Sequence, residues 1–371
     1  MRVAFYAPLK PPGHPVPSGD RRIARLLLEA LRLGGHEPVI ASIFRSREPS
    51  GEIMRQARLA ETGQRLALRL IRQWKGRKPD VWLTYHLYYK APDWVGPLAA
   101  KAWGIPYVVV EASYAPKRAG GPWDMSHRAV AAAVEQASAV LCLNPNDKAC
   151  LEPLAPGRLH DLPPFLDIRP FDTSRTVRAA LGKEFGLNGR EPRLLAVGMM
   201  RPGHKLESFK VLSEALGTLQ DLPWQLLIVG DGEAAAEVQA MFAPFGSRIA
   251  WLGRLDETKL AGTYKSADLL VWPAVREAFG MALLEAQACG VPVVAGRTDG
   301  VPGVVADGET GLLPVPEDPA AFADAVRSLL LDAGKREAMG QAAKERVMRH
   351  HSIQSASDTL DRILREVTCR S

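Results

Sequence analysis

The sequence predicts an α/β chain of two tandem doubly wound domains, and three observations predict it. Short β-branched and apolar runs alternate with helix-period segments along nearly the whole length. Several of the runs are continuously apolar, as strands of a parallel sheet covered on both faces should be. The alternation breaks once, at the proline-rich PPFLDIRPF of residues 163–171, and then starts again.

The first series places strands at residues 2–7, 38–43, 80–84, 107–110 and 139–143, with helices such as 21–33 and 127–136 between them. The second places strands at 194–198, 225–230, 249–252, 268–272 and 292–295, with helices such as 208–219 and 320–331. The expected domains are therefore residues 1–170 and 171–350. A helical pattern at 353–367, within the closing segment 351–371, is expected to cross back onto the first domain. Ligands of such sheets bind outside the carboxyl ends of the strands, at the switch point in strand order. Two facing domains then put the expected site in a cleft.

Composition bounds the function classes. The chain has 371 residues, 47% apolar and 24% charged, which suits two globular domains of ordinary size. Residues 1–170 hold 24 Lys/Arg against 15 Asp/Glu, so the net charge of +6 is carried by the first half. That half is expected to meet an anionic partner or surface. No apolar run approaches the roughly 18 residues that span a bilayer. The opening MRVAFYAP reads as a first strand and not as a secretion signal. Cys142, Cys150, Cys289 and Cys369 have neither metal spacing nor a disulfide framework, so a cytoplasmic location is expected. No GxGxxG follows the first strand and no GxxxxGK[ST] occurs, which argues against nicotinamide enzymes and P-loop kinases. No cofactor and no nucleic-acid partner are expected.

The segment WPAVREAFGMALLEAQACG, residues 272–290, carries the chemistry. A buried strand ends at Trp272, a turn holds Glu277, and a helix starts near Gly280 with Glu285 inside it. The amides of Phe279, Gly280 and Met281 at the helix start make an anion site, and Gly280 lets a phosphate approach the backbone. A carboxylate deeper in the helix suits ribose or sugar hydroxyls. The alternative is that both glutamates are helix-start charges favoured by the dipole. A second segment, LLAVGMMRPGHKL, ends a strand at Gly198 and follows it with Arg201 and Lys205, cations able to neutralise a diphosphate. Solvated loop cations are the alternative there.

The stretch from Glu277 to Pro314 closely resembles the donor-binding signature of family 4 retaining glycosyltransferases. Glu277 and Glu285 match its E-x7-E motif, and FGMALLEAQACGVPVVA, GVPGVV and DGETGLL match the flanking pattern. The resemblance covers essentially the whole chain and is strongest over residues 193–316. It implies the GT-B fold, two Rossmann-like domains facing a cleft, and transfer of a sugar from a UDP-, GDP- or ADP-sugar to an acceptor. It implies that Glu277 contacts the donor sugar and that Glu285 holds the ribose. Lys205 keeps the family's Lys, seven positions after the loop Gly198, whereas the Arg that follows that Gly is Met199 here. Arg201 is the residue that could reach in its place. By the same resemblance Asp231, in VGDGE, borders the donor, and Leu255, in WLGRL, lies beside the base. No D-x-D pair occurs, so no metal site is expected and protein cations must stabilise the leaving diphosphate. The altered Arg position leaves a noncatalytic sugar-nucleotide binder, or a nucleotide-sugar epimerase of the same fold, as alternatives.

On the acceptor side, PSGDRR resembles the family's first glycine loop, which makes Gly19 a candidate. The alternative is a helix cap by Ser18 or Asp20. The family often has a His after the strand following Gly-x-Pro. This chain reads GIPYVVVEASYAPKR there, so Glu111 and Tyr114 become the candidates. His86, at the end of another strand in TYHLYY, is the third, with aromatic packing as its alternative.

Residues 53–75 read as a helix despite Gly63. Arg55, Arg58, Arg65, Arg69 and Arg72 share one face, and Leu59, Leu66, Leu70 and Trp74 a neighbouring one. One expectation is a helix lying on an anionic membrane at the inner face, arginines at the headgroups and apolar residues inserted, with a lipid-linked acceptor. The other is an apolar face packed on the first domain's sheet with solvated arginines.

Overall fold

The computed structural model describes residues 1–16, 18–171, 177–187 and 189–370. It divides into two units, Met1–Pro163 with Ile353–Ser371, and Pro164–Ser352.

The first unit is built on a six-stranded sheet in the order β2-β1-β3-β4-β5-β6. Its strands are β1 (Arg2–Tyr6), β2 (Glu37–Ser42), β3 (Val81–Leu87), β4 (Tyr107–Ala112), β5 (Ala139–Cys142) and β6 (Leu159–Asp161). All pairings are parallel. The most apolar runs take the interior: β4, YVVVEA, is buried along its whole length, while edge strand β2 leaves Glu37 and Ile40 exposed. From β1 the chain steps to β2 on one side and then to β3 and onward on the other. The switch point lies between β1 and β3.

Helix Ile353–Cys369 packs on helix Gly19–Leu33 within this unit. Its buried stripe of Ile353, Ala356, Leu360, Ile363, Leu364 and Val367 recurs at helical spacing. His36, buried beneath it, lies with Nε2 3.1 Å from Asp361 Oδ1.

Helix Ile53–Gln73 packs part of its apolar face on its own unit and leaves Ile53, Met54 and Leu68 exposed. Leu70 is buried and Leu66 and Trp74 pack on the unit's core, because that core is the nearest apolar surface able to cover them. Arg55, Arg58, Arg65, Arg69 and Arg72 are left exposed on the other face. Gly63 sits where a Cβ would collide with Trp94, which accounts for a glycine inside the helix. Among the described residues no helix is long and apolar enough to cross a membrane.

The second unit holds a second six-stranded parallel sheet, in the order β12-β11-β10-β7-β8-β9. Its strands are β7 (Arg193–Val197), β8 (Gln225–Val229), β9 (Ile249–Gly253), β10 (Leu269–Trp272), β11 (Val293–Ala295) and β12 (Gly311–Leu312). Here the switch point lies between β7 and β10. Edge strands β6 and β12, of three and two residues, are too short to show a period and have no counterpart in the sequence reading. Where the chain enters and leaves this unit, the Leu166 amide donates to the His351 carbonyl at 2.9 Å, and His351 Nδ1 donates to the Pro164 carbonyl at 2.7 Å.

Candidate functional site

In the second unit the expected residues gather at the carboxyl ends of the strands. Gly198 and Arg201 follow β7, Lys205 opens helix His204–Gly217, Asp231 follows β8, Leu255 follows β9, and Glu277 lies between β10 and helix Met281–Ala288. Because β7 and β10 are neighbours at the switch point, Lys205 and Glu277 meet and form an ion pair. Trp272 closes the group. Its Nε1 lies 3.5 Å from Glu277 Oε2, and the Lys205 ammonium stands 5.2 Å from its ring centroid. Gly198 packs against the same indole, where a Cβ would come within 2.7 Å of the ring.

Local structure holds this arrangement. Phe209, on the Lys205 helix, packs edge-on to Trp272 with centroids 5.1 Å apart. Ser208 of the same helix accepts the Val275 amide at 3.0 Å, tying helix and turn together. The turn is strained: Ala274 and Arg276 adopt positive φ of 57° and 47°. It is stitched to the loop after β11 by the Thr298 hydroxyl, which donates to the Ala274 carbonyl at 2.5 Å. Strain of this kind persists where the surroundings over-determine it, and it clusters at functional sites. Gly280, at φ 65°, caps the following helix in a left-handed conformation and brings no side chain of its own to the helix start. Phe279 and Met281 flank it, half-buried.

Glu285 takes a different position. It is 3% exposed and accepts the Tyr264 hydroxyl on Oε2 at 2.7 Å. Arg201 is exposed, and among the described residues no ion pair joins it to Glu277 or Asp231. Asp231 is exposed and accepts the amide of Gly232 at 2.7 Å, and Leu255 packs half-buried on the core. The sequence reading missed Tyr264, the last residue of helix Glu257–Tyr264, and Thr298, whose one signal is its place just after β11.

The first unit gathers a second group at its own switch point. His86, near the end of β3, donates from Nδ1 to Asp20 Oδ1 at 3.0 Å, and Glu111 Oε1 of β4 lies 3.8 Å from the same nitrogen. Asp20 stands in the first turn of helix Gly19–Leu33, directly after the β1 loop. Ser18, not Asp20, is the cap: it accepts the Arg21 amide. Gly19 begins that helix, and a Cβ there would meet nothing within 4 Å. Pro17 of PSGDRR lies outside the described residues. Burial pushes the His86 imidazole down, but the Glu111 charge and then Asp20 carry it above its ordinary value. Burial raises the Glu111 carboxyl, with His86 opposing and Asp20 adding. Burial would raise Asp20 too, yet the His86 hydrogen bond and charge hold it below the usual range. Tyr114 stands apart from this group, stacked on His127 at 4.5 Å. A cavity of about 380 Å³ lined by Lys101, Ile105, Tyr107 and Gln136 lies at the opposite, amino-terminal edge of the sheet.

Comparison with known proteins adds the following. The family model for glycosyl transferases group 1 matches residues 178–346. The D-inositol 3-phosphate glycosyltransferase of Xylanimonas cellulosilytica is 30% identical over 298 residues, 74% of this chain and 70% of that protein. Against several other relatives of that name the chain spans less than two thirds of their length. Sucrose-phosphate synthase from Thermosynechococcus elongatus superposes with a TM-score of 0.72 at 22% identity, covering 100% of both chains. Anabaena HepE, solved in complex with UDP and glucose, superposes with a TM-score of 0.71 at 15% identity, covering 98% of this chain and 99% of that one. These superpositions establish the two-domain GT-B fold.

Proposed function

Because this chain belongs to the group 1 glycosyl transferases, of family-4 type, and is a sugar-transferring enzyme, we propose that it is a metal-independent, retaining glycosyltransferase using a UDP-, GDP- or ADP-sugar. The observation that carries the reading is the Lys205–Glu277 pair at the switch point of the second unit. In that reading residues 171–350 are the donor side and residues 1–170 the acceptor side.

The chemistry follows from the charges. Lys205 and Glu277 neutralise each other. A nucleoside diphosphate competes for Lys205, and the amides at Gly280 and Met281 offer further donors to its oxygens. Glu277 is then released to accept a hydroxyl of the transferred sugar. As the bond between sugar and phosphate breaks, negative charge grows on the diphosphate, and Lys205 gains more there than in the ground state. The acceptor oxygen bonds to the anomeric carbon from the face the diphosphate leaves, and the acceptor proton passes to the departing phosphate. Arg201 adds a second cation near the same strand end. Glu285, steadied by Tyr264, binds the ribose, and Asp231, Leu255 and Phe279 border the nucleotide.

The acceptor is proposed to be a glycan or a lipid-linked saccharide. The exposed arginine face of helix Ile53–Gln73 supports peripheral contact with an anionic membrane at the cytoplasmic side. A thermal-shift screen of UDP-, GDP- and ADP-sugars, followed by donor hydrolysis with the hit, tests the proposal. Stabilisation and turnover by one nucleotide class support it. Binding without turnover points to a noncatalytic sugar-nucleotide binder.

A further inference from the structure

The turn that carries Glu277 is held from two sides by hydroxyls. Ala274 and Arg276 adopt φ of 57° and 47°, the left-handed region that non-glycine residues avoid. Val275 and Glu277, which alternate with them, have their amides held by neighbouring elements. The Val275 amide donates to Ser208 Oγ at 3.0 Å. The Glu277 amide is shared between the Ala274 carbonyl at 3.2 Å and Thr298 Oγ1 at 3.5 Å. Both hydroxyls also donate, Ser208 to the His204 carbonyl at 2.8 Å and Thr298 to the Ala274 carbonyl at 2.5 Å. Each therefore bridges two backbone groups, which an apolar side chain of the same size cannot do.

The two bridges start from different elements. Ser208 is buried on helix His204–Gly217, three positions after Lys205 and on the same face. Its bond to Val275 fixes the start of that helix to the Glu277 turn, and the Lys205–Glu277 ion pair joins the same two elements. Thr298 lies in the loop after β11, with backbone bonds on either side of it. The Gly296 amide donates to the Pro273 carbonyl at 3.1 Å and the Gly300 amide to the Glu277 carbonyl at 3.3 Å. A Cβ on Gly300 would stand 1.8 Å from the Ala278 carbonyl oxygen, so glycine is what lets the loop come this near.

Strained backbone persists only while its surroundings over-determine it. Rotation at Ala274 or Arg276 swings the Glu277 carboxylate relative to Lys205, because both residues lie just before it in the chain. A misplacement of about 1 Å in a positioned group can lower a rate on the order of a hundredfold.

We propose that Ser208 and Thr298 are positioning residues for sugar transfer, their hydroxyls holding the Glu277 carboxylate where it meets both Lys205 and a hydroxyl of the donor sugar. The inference rests on the glycosyltransferase reading of this site.

The test is steady-state donor hydrolysis with the preferred nucleotide sugar, run below each variant's melting temperature. Thr298→Val and Ser208→Ala should each lower kcat about tenfold or more, and Thr298→Ser, which keeps the hydroxyl, should stay within about threefold of wild type. Calorimetry should find the nucleoside diphosphate affinity of Thr298→Val within about twofold of wild type, because Glu277 meets the sugar and not the nucleotide. The decisive readout is coupling. In a Glu277→Ala background there is no carboxylate to position, so adding Thr298→Val should lower the residual kcat by less than about threefold. A hydroxyl that only stabilises the fold gives the same loss in both backgrounds, and that result would overturn the proposal. Wild-type kcat in both Thr298→Val and Ser208→Ala, or a Thr298→Ser as slow as Thr298→Val, would overturn it too, and would leave the glycosyltransferase reading standing. Should one of the two hydroxyl-free variants fail to fold, the other decides. If wild-type protein hydrolyses no nucleotide sugar, the underlying reading has failed instead.

Discussion

Lys205 and Glu277 are 72 residues apart in sequence and form an ion pair, with the Lys205 ammonium 5.2 Å from the centroid of the Trp272 ring. That pairing gives a clear expectation. Lys205→Ala should lower kcat on the order of a hundredfold and change donor KM far less, because charge grows on the leaving diphosphate. Arg201→Ala should act in the same direction and more weakly, in keeping with its exposure. Steady-state kinetics check both, and normal turnover in Lys205→Ala would reduce that lysine to a surface cation.

Glu285 is the second handle. If it holds the ribose hydroxyls, Glu285→Ala should weaken binding of the preferred nucleoside diphosphate by roughly 1–3 kcal/mol. Tyr264→Phe keeps the ring packed against Phe171 and removes only the hydroxyl on Glu285. It should narrow the preference for ribo- over 2′-deoxyribonucleotide. Calorimetry that finds both affinities unchanged removes the role.

Helix Ile53–Gln73 separates charge from insertion. Leu66, Leu70 and Trp74 are already packed on their own unit, so vesicle binding should depend chiefly on the exposed arginines. Flotation should favour anionic over neutral vesicles, weaken with salt and be lost when Arg58, Arg65 and Arg69 become Glu. Equal recovery from neutral and anionic vesicles would count against the membrane contact.

Much of this was legible in the sequence because parallel strands are continuous apolar runs. The strand at 107–110 is the interior strand β4, and the 268–272 run ends at Trp272 as β10 does. Sites at strand ends follow from the same reading, since chain order places Gly198, Asp231 and Glu277 each just after a strand. What the sequence withheld was pairing across the sheet. Nothing local says that Lys205 meets Glu277, because that depends on β7 and β10 being neighbours. Asp20 could be read as a cap, and only the adjacency of β1 and β3 turns it toward His86. The two-faced helix at 53–75 stayed ambiguous because an apolar stripe looks alike whether it meets a sheet or a lipid.

His351 supplies a pH test of stability. Burial pushes its imidazole from the ordinary 6.5 to about 4, against the Pro164 carbonyl, which favours the proton. The folded chain thus binds fewer protons than the unfolded one between these values. Stability is complete above about pH 6.5 and declines as pH falls toward 4, by up to about 3 kcal/mol for this group alone. His351→Gln should flatten the dependence of melting temperature on pH in that window. Parallel profiles for variant and wild type would contradict the assignment.

The central claim is retaining transfer from a nucleotide sugar without a metal, and time-resolved proton NMR of donor hydrolysis tests it most directly. The preferred nucleotide sugar is incubated with enzyme in EDTA, water standing in for the acceptor. The account predicts steady release of nucleoside diphosphate, with the first sugar formed keeping the donor's anomeric configuration before mutarotation. An inverted first product, or activity that vanishes in EDTA and returns with manganese, would contradict it.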